Sequence, residues 1–341
     1  MKEKSIKNWN KSSITDFLIN NAIYVVLFII VGVIICMDTK FLSWENFGYI
    51  ITQASTRVIL ALGVAGLLVL AGTDLSVGRM VGLSAVVTAS LLQAPDYARR
   101  IYPDMAQLPI FIPILLAIFL TGLASTISGY IIAKFKVTAF IVTLSMQLII
   151  YGMASLYYDY TGGSPIANLD EGFKHFAQGS IQLGVIKIPF LVIYALITIG
   201  IVWIIWNKTR LGKNMFAVGG NEEAATVSGV NVIRTIVLVS MIAGILYGFA
   251  GALEVARTGS ATNNIGINYE LDAIAACVVG GVSFNGGVGS IAGVVSGVLM
   301  FQVINYGLNY VDVSPYIQYI IKGLIIVIAV AIDTRKYIKK K

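Results

Sequence analysis

Asn221, Glu222, Glu223, Ala224, Ala225 and Gly229 fall within the stretch GGNEEAATVSG (219–229), in a chain that is otherwise strongly apolar. Their types suit docking more than bond-making. Asn221 is a good helix N-cap, and Glu222 and Glu223 stand where a helix dipole favours negative charge. Ala224 and Ala225 favour helix, and Gly229 suits the left-handed turn that ends one. The spacing predicts a helix of two turns, about 10 Å long. Its narrow face, at Ala224, Ala225 and Val227, leaves room for a partner. The plain alternative is a solvated loop helix that only joins its neighbours.

Bond-making chemistry has few candidates. His175 is the single histidine, and Cys36 and Cys277 are the two cysteines. That excludes a disulfide framework and a multi-ligand Cys/His metal site. A phosphate loop of the form G-x-x-x-x-G-K-[ST] is absent, since Gly212-Lys213 is followed by Asn214. The chain is therefore expected to bind neither ATP nor a metal. Gly287-x-Gly289-x-x-Ala292 fits the loose dinucleotide pattern but lacks the preceding strand of a soluble βαβ unit. Arg57, Asp74, Glu254, Asp272, Asp312 and Lys322 stand in or beside apolar runs, where a mid-bilayer charge costs about 2.5–3.5 kcal/mol. The four acids fall near run ends and are read as caps or interfacial groups. Arg57 and Lys322 lie deeper and either snorkel or pair with acids across helices.

The apolar runs set the architecture. Of 341 residues 57% are hydrophobic and 12% charged, about half the charge of an ordinary globular chain; mean hydropathy is +0.84. No charge occurs from Phe17 to Met37, Met105 to Ala133, Val137 to Tyr158, Ile188 to Asn207, Thr235 to Leu253 or Ala273 to Val311. A hydrocarbon core about 30 Å thick takes about 20 residues of helix. The pattern predicts an all-α polytopic membrane protein, one transmembrane permease domain over 1–341, with ten spans near 17–37, 49–72, 80–95, 109–133, 137–158, 188–207, 233–254, 271–286, 288–306 and 315–332. The basic N-terminus is read as leading into a retained first span.

Orientation follows from Lys and Arg in the short loops. With ten spans, one side collects sixteen of them, from the N-terminal tail (1–16), Arg79, Lys134, Lys136, the loop at 208–232 with Arg234, and the basic tail (333–341); the other side holds six. Both termini are placed in the cytoplasm, so the net charge of +7 reflects topology and not nucleic-acid binding. Two stretches, 63–92 and 273–301, share one plan: an apolar helix, a Gly-rich polar break, another apolar helix. The second follows the first by about 210 residues. This suggests an internal duplication of spans 2–5 and 7–10, as transporters often have.

Glu223-Ala224-Ala225-x-x-x-Gly229 resembles the E-A-A-x-x-x-G loop of ABC importer permeases. Gly72-Thr73-Asp74-Leu75-Ser76-Val77-Gly78 is similar to the G-x-D-L-S-x-G segment of the ribose/galactose/arabinose type. Thr209–Lys213 leading through Ala217–Asn221, and Glu270–Ala276 with Gly280-Gly281 and Gly286–Gly289, extend the likeness over essentially the whole chain. Gly259–Asn264 and Ser155–Asp159 resemble the galactose/methyl-galactoside branch. The resemblance implies a non-catalytic permease subunit of the bacterial cytoplasmic (inner) membrane that forms the translocation pathway for a monosaccharide. It implies a second permease copy, a cytoplasmic ABC ATPase that binds ATP and Mg and grips the Glu223–Gly229 helix, and an extracytoplasmic sugar-binding protein docking on 158–188 and 254–270. Asp74, Ser76, Asn263, Asn264, Asp272 and Asn285 are the pathway and gating candidates, with Tyr269 also able to meet a sugar. The rival class is an ATP-independent secondary carrier or channel. The lack of carboxylates deep within the spans counts against it.

Overall fold

A computed structural model describes residues 22–184 and 186–338. The N-terminal tail 1–16, the start of the first expected span and residues 339–341 lie outside them. The described chain is mostly helical. In order it runs α1 (Ala22–Met37), a 3-10 turn (Thr39–Leu42), α2 (Trp44–Val69), α3 (Val77–Leu91), α4 (Phe111–Phe135), α5 (Ala139–Tyr160) and α6 (Glu171–Gln178). An antiparallel hairpin follows, β1 (Ser180–Leu183) and β2 (Ile186–Pro189). Then come α7 (Phe190–Lys208), α8 (Arg210–Gly220), α9 (Glu222–Val227), α10 (Val232–Thr258), α11 (Tyr269–Val279), α12 (Ile291–Tyr310) and α13 (Pro315–Ile338).

Six of these, α2, α4, α5, α7, α10 and α12, are long and apolar enough to cross a membrane. The span expected at 80–95 is the 15-residue α3. The one expected at 271–286 is shorter still, since α11 stops at Val279 after 11 residues, about 16 Å. Residues 280–286 are apolar enough to extend a hydropathy run, but Gly280-Gly281 ends the helix there.

The described residues form two compact units, 22–46 with 303–338 and 47–302. In the first, Asp38 caps the 3-10 turn by accepting from the Lys40 amide (2.8 Å) and also accepts the Tyr310 hydroxyl (2.9 Å). Tyr306 donates to Asn46 (2.7 Å), and Phe41 meets Tyr310 edge-on at 5.5 Å.

The second unit is built around α10, which packs along α4 and α3. With lipid on the alternative side, helices associate through close van der Waals fit and small residues. Thus Gly244 and Gly248 of α10 lie against the backbone of α4 at Thr121 and Ile118, and Ser84 of α3 donates to the Gly248 carbonyl (2.6 Å). Around this centre α5 and α7 are peripheral, with far less of their apolar length buried than α10 or α2. Their outward rows of Ile, Leu and Phe suit hydrocarbon.

Two helix breaks interrupt this unit, at 70–76 and 280–290. In the first, Gly72 N donates to Leu67 O (2.9 Å) and Ala71 N to Leu68 O (2.9 Å), with Ala71 at φ +58°. In the second, Val282 N donates to Cys277 O (3.0 Å) and Gly281 N to Val278 O (2.8 Å), with Gly281 at φ +85°. Both are Schellman closures. Each residue of the second stands 210 positions after its counterpart in the first.

Candidate functional site

The loop between α7 and α10 is two short helices joined at one residue. Thr209 caps α8 by accepting from Gly212 N (3.3 Å). Asn221 closes α8 through its own N–H to Ala217 O (3.0 Å), and its Oδ1 accepts from Ala224 N (2.8 Å) to open α9. At the far end Gly229, at φ +82°, donates to Thr226 O (3.0 Å) while Val230 N donates to Ala225 O (3.0 Å). The caps expected of Asn221 and Gly229 are thus both in place. The outward face differs from expectation. Ala225 is turned inward and buried, anchoring the helix, while Glu222, Glu223 and Ala224 are exposed and Val227 is 90% exposed. A single exposed valine is ordinary on a protein surface; here it stands on a capped turn that also carries two exposed carboxylates. Lys136 approaches Glu222 at 4.0 Å, an exposed pair that contributes little.

Deeper in the unit, Asp74 and Ser76 form a closed local turn. Asp74 Oδ1 accepts both the Ser76 amide (2.8 Å) and hydroxyl (2.6 Å), and the carboxylate is buried beside Tyr247. The non-helical segment 70–76 precedes α3, in which Gly78 meets Gly266 so closely that neither leaves room for a side chain. Arg79 donates to the Asn263 carbonyl (3.4 Å) and lies 4.2 Å over the Tyr151 ring. Glu270, which carried part of the family likeness but was not among the pathway candidates, stands beside Gly78, with Arg79, Asp272 and Asp74 close enough to act on its charge.

Glu254 corrects the expectation of an interfacial, solvated acid. It is 3% exposed and fully engaged. Thr56 donates to its Oε2 (2.9 Å), Arg257 to Oε1 (2.8 Å) and Oε2 (3.3 Å), and Tyr269 to Oε1 (3.1 Å). Arg57 completes the pairing at 3.9 Å, with its guanidinium carbon 3.3 Å from the centroid of the Tyr269 ring. Arg57 therefore pairs across helices and does not snorkel. The network joins α2, α10 and the first residue of α11, and Asp272 in the next turn position also acts on Arg57. The buried acid is viable because two cations and two hydroxyls replace its water.

The remaining candidates occupy two further places. Asn263 reaches Ser155 (3.5 Å), and Asn264 N donates to Thr262 Oγ1 (3.3 Å). Both sit in the loop after α10. Ile166 and Ala261 exchange backbone hydrogen bonds (2.8 and 2.9 Å), and Gln178 donates to the Ala256 and Arg257 carbonyls (3.2 and 3.1 Å). The segments 158–188 and 254–270 are therefore stitched into one surface. Asn285 lies in the second break, its N–H on Ser283 Oγ (3.1 Å). The turn at Asp74 and Ser76 belongs to the first.

The chain matches the family model described as branched-chain amino acid transport system / permease component over residues 46–330. It is 56% identical over 331 residues to the galactose/methyl galactoside import permease protein MglC of Haemophilus influenzae, covering 97% of this chain and 98% of the relative. It is 55% identical over 332 residues to MglC of Escherichia coli K12, covering 97% and 99%. It is 36% identical over 327 residues to the ribose import permease protein RbsC of Haemophilus influenzae, covering 95% and 96%. No solved structure matches. With its membrane-crossing helices and its capped loop helix, the chain belongs to this family of ABC importer permeases.

Proposed function

We propose that this chain is the membrane subunit of an ATP-driven importer for galactose and methyl galactoside. The observation that carries the substrate is the 56% identity, across nearly the full length, to a permease named for those sugars. Two copies surround one pathway, and a separate ATPase binds the exposed face of α9 through Glu222, Glu223, Ala224 and Val227, held by the caps Asn221 and Gly229. An external sugar-binding protein docks on the joined surface of 158–188 and 254–270. This chain's own residues gate the pathway and make or break no covalent bond. Pathway roles fall to Asp74, Ser76, Asn263, Asn264, Asp272 and Asn285.

The test is uptake into proteoliposomes holding this chain with its ATPase and binding protein. ATP-dependent uptake of galactose, well above that of ribose, arabinose and xylose, is the expected result. Uptake indifferent to ATP would make the protein a carrier.

The same reading places both termini in the cytoplasm of a bacterial inner membrane and counts ten membrane segments, α3 and α11 reaching only part-way. Internal duplication is supported by the matched closures 210 residues apart. Topology has its own check in a variant with Cys36 replaced by Ser, leaving only the buried Cys277. An impermeant maleimide added to intact spheroplasts should label Ser164→Cys and leave Lys213→Cys unlabelled. The reverse pattern would invert the topology and remove α9 from the ATPase.

A further inference from the structure

Val69 is the last residue of α2, and its carbonyl is one of those a helix end leaves without an internal partner. It is taken up by Gly287 N–H from the second break, at 2.8 Å. The C-terminal end of α8 lies on the same peptide group. A Cβ on Gly219 would overlap the Val69 oxygen outright and stand 2.8 Å from its carbonyl carbon and 2.9 Å from Gly287 N. From the other side, a Cβ on Gly286 would be 2.5 Å from the Gly219 oxygen and 2.9 Å from Ala71. Three segments remote in sequence therefore meet backbone to backbone: the first break, the second break and the C-terminal end of α8. Backbone contacts of this kind have no rotamer to absorb a displacement, and packed interiors transmit strain.

We infer that Gly219 is the transmission point of the importer, the place where movement of α9 is passed by α8 to both helix breaks at once. The inference rests on the proposal that α9 docks the ATPase. Asn221 makes the lever stiff, since one residue closes α8 and caps α9. The same push reaches α3, which follows the first break, and α11 and α12, which flank the second. One input thus acts on both matched breaks, with no need for separate linkages.

Two measurements test it. The first uses the unmodified complex in nanodiscs, by hydrogen exchange with and without a non-hydrolysable ATP analogue. Nucleotide should alter exchange in α9 and, together, in peptides covering 66–72 and 283–290. A response in α9 without one in the two breaks overturns the inference and leaves ATPase docking standing. No response in α9, together with unchanged coupling in Glu223→Lys, overturns the docking reading itself. The second compares neighbouring glycines. Gly219→Ala should raise the ATP hydrolysed per sugar imported by about tenfold, within the usual range of site-to-site coupling. Gly220→Ala, where an added Cβ meets open space, should keep the wild-type ratio. A wild-type ratio in Gly219→Ala, or equal loss in both, rules the transmission point out.

Discussion

Glu254→Ala should destabilise the permease by about 3–5 kcal/mol, the range for removing one partner from a buried ion pair. The loss leaves Arg57 and Arg257, each with about a quarter of its side chain exposed, facing one another across an emptied site. It also removes the acceptor of the Tyr269 hydroxyl, while Thr56 keeps the Gln53 carbonyl (3.3 Å). Arg57→Ala should cost clearly less, because Glu254 keeps Arg257 at 2.8 Å and both hydroxyls. The measurement is the thermal midpoint of the purified protein in detergent, read beside the amount recovered from membranes. Equal losses in the two variants would mean that Glu254 is not the hub of the network. The expected consequence for transport is local, since α11 begins at Tyr269 and would lose its tie to α10.

Gly78→Ala should abolish sugar uptake. Its Cβ would overlap the Gly266 carbonyl oxygen and the Glu270 carboxylate and lie 3.1 Å from the Gly266 carbonyl carbon. Overpacking typically costs about 1–3 kcal/mol when side chains can shift. Here the obstacle is largely backbone, so the cost belongs at or above the top of that range. A graded series makes the point sharper. Gly82→Ala, 2.7 Å from the Ile265 oxygen, should be impaired less. Gly72→Ala, whose nearest neighbour is the Leu67 oxygen at 3.3 Å, should be close to wild type. Uptake rates and thermal midpoints across the three would be compared. Wild-type uptake by Gly78→Ala would show that α3 and the loop at Gly266 are apart in the transporting states.

The series bears on what could be read from residues alone. The α9 helix was legible because its caps are local: Asn221 and Gly229 act within three or four positions of themselves. The apolar runs were legible because hydropathy sums over length. Both signals failed where distant segments meet. Glu254 lies near the end of an apolar run, where a solvated acid is the ordinary expectation; its partner Thr56 is 198 positions away. The pairing of Arg257 with Glu254, one helical turn apart, was the available hint. The run at 271–286 read as a full span because composition does not register the φ of Gly281. Gly219, in a polar loop, gave no sign that it is buried against the end of α2. Its contact exists only once the breaks are folded.

The seam between α4 and α10 carries a consequence for biosynthesis. Phe135 and Thr258, the ends of those helices, are separated by about 120 residues of chain. At about 5–20 residues per second of synthesis, α4 waits on the order of ten seconds in the bilayer before its partner has been made. Throughout that interval Gly122, Ser125 and Gly129 face lipid or the insertion machinery, and only afterwards do they meet Ile245, Gly244 and Ser240. The seam between α4 and α10 can therefore close only when translation is well past its midpoint.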